Sequence, residues 1–388
     1  MPAPNDLPEP RGPAFVRRSR GAAAGICAAS PEEWEDWRWQ LAHSSRTLSE
    51  LARRMGWDAG RLERLPAVAR RYPLRVTPYY LSLVDPDDPA DPIGRQCIPA
   101  VEELGPPAPG ATPDPLAEDE STPTPGLVHR YPDRVLLLTT PVCAVHCRHC
   151  FRKRYWRAPF PALDSGRQAA VLAYLRAHPE VREVLLSGGD PLLLPERRLG
   201  ELLAALRTVP SVGVIRIGTR LPVVLPQRLT PEFCRSLGAC APVWVATHFN
   251  HPREVTREAA AACRNLLAAG IPVLNQTVLL RGVNDRTEVL AKLFRALVEI
   301  QVKPYYLFVA DPAEGAMHFR TGVDAARRIA AELRGRLSGL AMPTLAADLP
   351  EGGGKVALEE CPERCGPDGV RRFRSFDGRW IAYPEPEP

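Results

Sequence analysis

The chain has 388 residues, of which 45% are hydrophobic and 24% are charged, enough for one large α/β domain with an appendage or for two ordinary domains. Its net charge of +5 is too small to indicate binding to nucleic acid or to a membrane surface. The sequence has no run of eighteen apolar residues, and Arg17, Arg18 and Arg20 interrupt its N-terminal segment, so it predicts neither a membrane span nor a signal peptide. Ten cysteines without an export signal indicate a reducing, cytoplasmic compartment, where clustered cysteines are more often metal-binding or catalytic than disulfide-bonded.

Composition and periodicity predict five parts in chain order. They are a disordered leader (1–29), an N-terminal helical appendage (30–104), a Pro-rich connector (105–126), an α/β core (127–349) and a C-terminal segment (350–388). The first helix of the appendage is expected to begin at Ser30, which can form a capping box with Glu33. The connector is rich in Pro, Gly, Asp and Glu, a composition typical of extended chain.

Within the core, short β-rich runs alternate with helical stretches. The predicted strands are 135–139, 183–186, 212–217, 243–247, 273–279, 302–309 and 344–347. The predicted helices between them are 167–178, 197–208, 253–269, 286–300 and 323–337. Strands that alternate with helices indicate βαβ units and a parallel sheet, and right-handed crossovers wind about six such units into a partial or full barrel. Ligands of such a fold bind at the carboxyl ends of the strands.

The first predicted strand leads into the run Cys-Ala-Val-His-Cys-Arg-His-Cys, which contains Cys143, Cys147 and Cys150. Three thiolates at this spacing can hold three irons of a cubic [4Fe–4S] cluster and leave the fourth iron open for a substrate or cofactor. The alternative is a structural zinc site with four ligands, in which His146 or His149 is the fourth. The spacing favours the cluster.

Two glycine-containing segments follow later strands. The glycines of Ser187-Gly-Gly-Asp190 allow a ligand close to the backbone, and Asp190 can accept from an ammonium group, although a tight turn is the alternative. The run Asp348-Leu-Pro-Glu-Gly-Gly-Gly-Lys355 presents a lysine on a flexible glycine loop. This suits imine formation with an aldehyde such as pyridoxal phosphate, and an exposed lysine in a glycine turn is the alternative.

Together these segments resemble the lysine 2,3-aminomutase family of radical S-adenosylmethionine enzymes, from about Trp34 to Tyr383. The collinear segments that carry the resemblance are 37–40, 77–83, 125–134, 143–150, 187–190, 222–227, 247–252, 280–285, 318–321 and 348–355. The resemblance implies a partial (βα)6-type TIM-like barrel of the radical S-adenosylmethionine class, with an N-terminal helical appendage.

The resemblance also implies cofactor sites. The ligands of the [4Fe–4S] cluster would be Cys143, Cys147 and Cys150. The residues that bind S-adenosylmethionine would be His149, Ser187, Gly188, Gly189 and Asp190. Lys355 would form the internal aldimine with pyridoxal 5′-phosphate. The residues around that cofactor would be Arg130, Arg134 and Gln276, two guanidiniums being apt for a phosphate.

For the substrate, the resemblance implies that Arg152 binds the carboxylate and that Asp311 and Asp348 hold the far ammonium of lysine. A buried pair of carboxylates is unfavourable unless a cation joins them, so two acids opposite one arginine describe a zwitterion with a positive tail. Relatives that act on glutamate replace these acids, which disfavours glutamate. The implied reaction moves the α-amino group of L-lysine to C3 to give β-lysine, by a 5′-deoxyadenosyl radical acting on the pyridoxal phosphate aldimine.

Two alternatives stay open: an arginine 2,3-aminomutase that makes β-arginine for specialised metabolism, and a non-catalytic zinc-binding protein. The expected partners are a small basic amino acid, a reductant such as flavodoxin or ferredoxin, and further copies of the chain in a homo-oligomer, with no nucleic acid and no membrane.

Arg286 stands where clostridial-type relatives carry a zinc-binding Cys, and their Cys-bearing tail has no counterpart, so no inter-subunit zinc is expected. Cys361 and Cys365 lack convincing further metal ligands.

Overall fold

The structure is a computed structural model, which describes residues 29–386 with the exceptions of 59, 107 and 109. Nearly all of the predicted leader, residues 1–28, therefore lies outside the described residues. No helix in the described part of the chain is long and apolar enough to cross a membrane.

A nine-stranded sheet forms the centre of the fold, and its strands are neighbours in chain order. The strands are β1 (Leu127–Tyr131), β2 (Arg134–Thr140), β3 (Glu183–Gly188), β4 (Val214–Gly218), β5 (Val243–Thr247), β6 (Val273–Leu279), β7 (Lys303–Val309), β8 (Thr344–Leu349) and β9 (Gly354–Ala357). From β2 to β8 every neighbouring pair is parallel, whereas β1 and β9 are antiparallel edge strands. No ladder between described strands joins β1 to β9, and the Lys355 backbone N–H donates across this seam to Tyr131 Oη at 2.6 Å.

Six helices connect the parallel strands, which confirms the predicted (βα)6-type barrel. They are α7 (Ser165–Ala177), α8 (Glu196–Arg207), α10 (Pro231–Gly238), α11 (Arg257–Ala268), α12 (Thr287–Glu299) and α13 (Val323–Arg334); α9 (Leu221–Val224) is one turn after β4. Strand residues alternate in direction: Val184 and Ile215 are fully buried in the apolar core, whereas Leu185 and Arg216 line a cavity.

Short helices precede the barrel. They are α1 (Pro31–Glu35), α2 (Trp37–Ala42), α3 (Leu48–Met55), α4 (Leu65–Arg71), α5 (Pro78–Leu81) and α6 (Gly94–Cys97). Ser30 and Glu33 form the predicted capping box of α1. After the barrel, β10 (Glu363–Cys365), β11 (Arg371–Arg374) and β12 (Trp380–Ala382) form a small antiparallel sheet.

Candidate active site

A cavity of about 600 Å³ lies inside the barrel. Its lining includes Arg134 and Glu183, the first residues of β2 and β3, and also Cys143 and Asp190, which follow the last residues of those strands. The cavity therefore runs along the barrel axis. All fifteen residues that the sequence analysis assigns to cofactors and substrate line it, although they come from distant parts of the chain.

The three cysteines of the run lie on the loop after β2, at the carboxyl end of the barrel. Like the other described cysteines, they are free thiols. Burial raises the pKa of Cys150 to about 11 and raises the pKa of Cys143 well above its usual value, so neither thiolate is stable there without a compensating cation. No three described His, Cys, Asp or Glu side chains converge on a position for one metal ion, which does not match the Cys₃His zinc alternative. A cubane makes no such demand, because each thiolate ligates a different iron.

The loop that carries the cysteines, residues 141–157, is held by a buried ion network. Both oxygens of Glu103 accept from Arg148, at 2.9 and 2.6 Å, and the Lys153 ammonium donates to the same carboxylate at 2.7 Å. The three side chains are at most 1% exposed. Burial opposes ionisation of Glu103, but the two cations outweigh burial and lower its pKa. Two cations on one buried acid fix the course of the loop.

Arg220 links this loop to the following strands and to the N-terminal segment. Its guanidinium donates to Cys147 Sγ at 2.9 Å, to Glu254 at 2.7 Å and to Gln96 at 2.5 Å. Asp190 accepts from the Thr219 hydroxyl at 2.7 Å, and the backbone N–H of Arg220 donates to the same carboxylate at 2.9 Å. Asp190 therefore joins the loops after β3 and β4, a role that its sequence motif did not indicate.

His149 carries an unused nitrogen beside the cysteines. Burial, and after it the charge of Arg220, lowers the pKa of His149 well below its usual value, so the imidazole is neutral. Its Nδ1 is buried and has no hydrogen-bond partner among the described residues. A buried ring nitrogen of this kind needs a partner, which a bound cofactor can supply.

Lys355 lies at the other end of the cavity, on β9 and not in the predicted flexible loop. The glycine run makes the turn between β8 and β9, and Lys355 pairs in register with Asp348, leaving its Nζ 3.7 Å from that carboxylate. The aromatic rings of Phe308 and Tyr306 lie 4.4 and 5.0 Å from Nζ. The chain has four lysines, and Lys355 is the one that lines the cavity.

Basic side chains surround this end. Arg130 donates to the Leu116 carbonyl, but its Nε is buried without a partner among the described residues. Arg134 lies 3.7 Å above the Tyr131 ring and is 38% exposed. Unused guanidinium donors around a lysine suit a phosphate-bearing aldehyde.

The two predicted tail-binding acids lie close to each other. Burial, and after it the charge of Asp348, raises the pKa of Asp311 well above its usual value. Arg152, the predicted carboxylate-binding arginine, is not free: it donates to both oxygens of Glu118, at 2.9 and 2.6 Å, and to Ser187 Oγ at 2.9 Å. Glu118 lies in the segment predicted as a connector, which thus forms part of the cavity wall.

Sequence reasoning missed Glu118, Glu183, Arg216 and Arg220, which also line the cavity. A signal existed for Arg216, which is charged and stands between Ile215 and Ile217 in the strand Val-Ile-Arg-Ile-Gly. A charged residue at this position of an apolar strand indicates a side chain directed into the barrel, where it meets Glu183. The other three have no such local signal.

This fold and site define a radical S-adenosylmethionine enzyme. The sequence profile of the Radical SAM superfamily matches residues 137–294, from β2 into α12. The chain is 45% identical over 359 residues to the L-lysine 2,3-aminomutase of Bacillus subtilis, covering 92% of this chain and 75% of that protein. It is 44% identical over 357 residues to the L-lysine 2,3-aminomutase of Clostridium subterminale, covering 92% of this chain and 86% of that protein. It is 38% identical over 347 residues to the glutamate 2,3-aminomutase of Clostridioides difficile, covering 88% of this chain and 81% of that protein. The chain belongs to the lysine 2,3-aminomutase family.

This membership makes the chain an isomerase with three cofactors: a [4Fe–4S] cluster, S-adenosylmethionine and pyridoxal 5′-phosphate. The residues present fit all three. Free cysteines with an arginine donor suit the cluster, the unpartnered His149 nitrogen beside them suits S-adenosylmethionine, and Lys355 with the unpartnered Arg130 suits pyridoxal phosphate.

Proposed function

We propose that the chain is an L-lysine 2,3-aminomutase, which moves the α-amino group of L-lysine to C3 and yields β-lysine. The observation that carries this proposal is the shared cavity. The cysteine run lies at one end of it and Lys355 at the other, with Arg152 and the acid pair Asp311 and Asp348 also in its lining.

Each part of the cavity has a role in this proposal. The cysteines hold the cluster, His149 and the segment 187–190 bind S-adenosylmethionine, and Arg130, Arg134 and Gln276 bind pyridoxal phosphate around Lys355. When bound, the cluster and S-adenosylmethionine supply a carbon radical that removes and returns a hydrogen, and pyridoxal phosphate carries the migrating nitrogen.

The substrate is held at both of its ends. Arginine has five N–H donors, and Glu118 and Ser187 use three of those on Arg152. One donor on Nη1 and one on Nη2 are left to receive the substrate carboxylate. At the far end, the carboxylates of Asp311 and Asp348 pair with the ε-ammonium, which offsets the repulsion between them.

Lys355 would hold pyridoxal phosphate through its Nζ. Asp348, whose carboxylate lies 3.7 Å from that nitrogen, would pair with the lysine side chain when it is not bonded to the cofactor. The rings of Phe308 and Tyr306 cover part of this position and reduce its contact with water.

The proposal includes a cytoplasmic location, a low-potential reductant such as flavodoxin or ferredoxin, and a homo-oligomeric assembly. The location is supported by free, clustered cysteines, which a reducing compartment maintains. Light scattering of the purified protein measures the oligomeric state.

Anaerobic turnover with product identification tests the function. Reconstituted protein is given lysine, arginine or glutamate with S-adenosylmethionine, pyridoxal phosphate and dithionite, and products are identified by mass spectrometry against β-amino-acid standards. We expect β-lysine as the main product. Preference for arginine would keep the roles of the acid pair and change the substrate, whereas equal turnover of glutamate would contradict the tail recognition.

A further inference from the structure

The positive charge of the chain is concentrated in one N-terminal segment. Residues 38–75 contain nine arginines and three acidic residues, a net charge of +6, whereas the whole chain carries +5. The remaining residues therefore sum to −1. An asymmetry of this size over 38 residues creates a local positive potential, although the chain as a whole is only mildly basic.

The end of this basic segment contacts the loop that carries the cysteines. The His146 backbone N–H donates to the Arg75 carbonyl at 2.8 Å, and its ring Nδ1 lies 2.9 Å from the Pro73 carbonyl. Arg148 donates to the Tyr72 carbonyl at 3.1 Å, and Arg75 donates to the Cys143 carbonyl at 3.1 Å. Residues 72–75 thus run along the cysteine loop.

Exposed arginines flank this contact on both sides. Ser45 pairs with Val76 in an antiparallel bridge, which places the exposed Arg46 close to Arg75 and therefore on the Cys143 side of the loop. On the other side, an outer cavity of about 380 Å³ is lined by Arg71, Arg154, Arg157 and Lys153. Lys153 comes three residues after Cys150, and it lines the outer cavity whereas Cys150 lines the inner one.

Some of these charges are already balanced. Arg71 pairs with Glu314, Arg154 pairs with Asp114, and Lys153 pairs with Glu103. By contrast, Arg46 and Arg157 are exposed and form no ion pair with any described residue. We call the surface formed by Arg46, Arg71, Arg75 and Arg157 the basic face. Its unbalanced charge is available to a partner.

We infer that the basic face docks a small acidic electron-transfer protein, which delivers the electron that the cluster needs. This inference rests on the proposed function, because the chemistry proposed there starts from a reduced cluster. In the step, one electron leaves the reduced flavin or iron–sulfur centre of the donor and enters the cluster, and no bond forms or breaks. A protein donor cannot enter a cavity of about 600 Å³, so it must approach the outer side of the cysteine loop.

The position of the face distinguishes this partner from a nucleic acid. A polyanion would match the charge, but it would gain nothing from contact with the cysteine loop. An electron donor requires that contact, because electron transfer depends on a short path to the cluster.

A binding and reduction experiment tests the inference. Flavodoxin, an acidic protein, serves as the probe, and reconstituted protein is compared with Arg46→Glu, Arg157→Glu and the double variant. Binding is measured by calorimetry, and the rate of cluster reduction by reduced flavodoxin is followed by absorbance. At low ionic strength we expect each single variant to bind about threefold more weakly and the double variant at least about tenfold more weakly, with a matching loss of reduction rate and of its salt dependence.

Two controls distinguish a loss of the docking contact from a general loss of protein structure. Arg264→Glu with Arg295→Glu removes two exposed arginines from the outer helices α11 and α12, and should leave flavodoxin binding within about twofold of the unaltered protein. Reduction by dithionite, which is small, should be unchanged in every variant.

Two outcomes would overturn the inference. One is flavodoxin binding by the Arg46→Glu, Arg157→Glu double variant within twofold of the unaltered protein, and the other is tighter binding of transfer RNA than of flavodoxin to the basic face. Failure of the dithionite-reduced protein to cleave S-adenosylmethionine would instead contradict the proposed function, and the calorimetry would be unaffected.

Discussion

At the cluster end of the cavity, the side chains of Arg148 and Lys153 are at most 1% exposed and share the carboxylate of Glu103. At the lysine end, Lys355 is 29% exposed, Arg134 is 38% exposed, and the Nε of Arg130 is buried without a partner in the described residues. Arg148, Lys153 and Glu103 at the cluster end thus have charged partners within the protein. At the lysine end, the Nε of Arg130 has no partner among the described residues and can donate to a phosphate. Substitutions at the two ends should therefore fail differently: loss of assembly at one, loss of affinity at the other.

The largest effect is expected at the cysteines. Cys143→Ala, Cys147→Ala and Cys150→Ala should each abolish cluster assembly, because a cubane that lacks one of three thiolates is poorly held. Iron and sulfide analysis after anaerobic reconstitution measures this. Cys365→Ala, which changes an exposed thiol outside the cavity, is the matched control and should keep full iron content. Full iron content and activity in any of the three variants would contradict the assignment.

Lys355→Ala should remove the imine absorbance of bound pyridoxal phosphate and leave iron and sulfide unchanged. The reason is that the other three lysines are unsuited: Lys153 is buried against Glu103, Lys303 donates to two backbone carbonyls, and Lys292 is exposed on α12. Borohydride reduction followed by peptide mapping locates the modified lysine. Lys292→Ala serves as control, and an imine that persists in Lys355→Ala would place the cofactor on another lysine.

Glu103→Gln should destabilise the cluster end even without cofactors. Loss of this acid leaves Arg148 and Lys153 buried without their counter-charge, which costs about 3–5 kcal/mol. Denaturant unfolding of the protein as purified measures the loss, with the exposed neighbour Glu102→Gln as control. Because the pKa of Glu103 is lowered in the folded state, its contribution is present above the ordinary carboxyl pKa and is lost as the pH falls through the lowered value. The difference between wild type and Glu103→Gln should therefore shrink in acid.

Asp311→Asn and Asp348→Asn should each raise the KM for lysine. Removal of one acid leaves the substrate ammonium imperfectly paired, which typically costs about 2–5 kcal/mol, roughly thirtyfold to several-thousandfold in affinity. Uncoupled cleavage of S-adenosylmethionine by dithionite should stay largely intact. Since the pKa of Asp311 is raised, this acid takes up a proton at a higher pH than usual, so the wild-type KM should increase as the pH falls. Asp311→Asn should flatten that dependence.

The sequence was sufficient for the barrel and for the local motifs, because both depend on short-range pattern. The parallel strands stand out as apolar runs between helices, and the cysteine run needs no fold to be recognised. The edge strands β1 and β9 were missed. Each has a ladder partner on one side only, and β9 follows a glycine run that predicts a loop. Pairing in register with Asp348, and not flexibility, is what places Lys355.

The contacts that position the site were beyond sequence reasoning because they join distant parts of the chain. Glu118 and Arg152 are 34 residues apart, and Glu118 lies in the segment whose composition predicts an extended connector. Arg220 meets Gln96 across 124 residues. The sequence around each of these residues has no pattern that indicates its partner. Such pairs form only when the barrel closes around them.

The smallest effect is expected at the mouth of the lysine end. Arg130→Gln removes a charged group whose Nε is buried without a partner among the described residues, and it should weaken pyridoxal phosphate binding by about 1.5–3 kcal/mol, roughly tenfold to 150-fold. The Arg134 side chain is 38% exposed, stacks on Tyr131 and pairs with Asp133, so Arg134→Gln should cost about 1 kcal/mol, roughly fivefold. Cofactor titration followed at the imine absorbance measures both, with iron content as the control for the cluster end. Equal losses of affinity in the two variants would show that burial does not determine how strongly each arginine binds the phosphate. A loss of iron in either variant would contradict the independence of the two ends of the cavity.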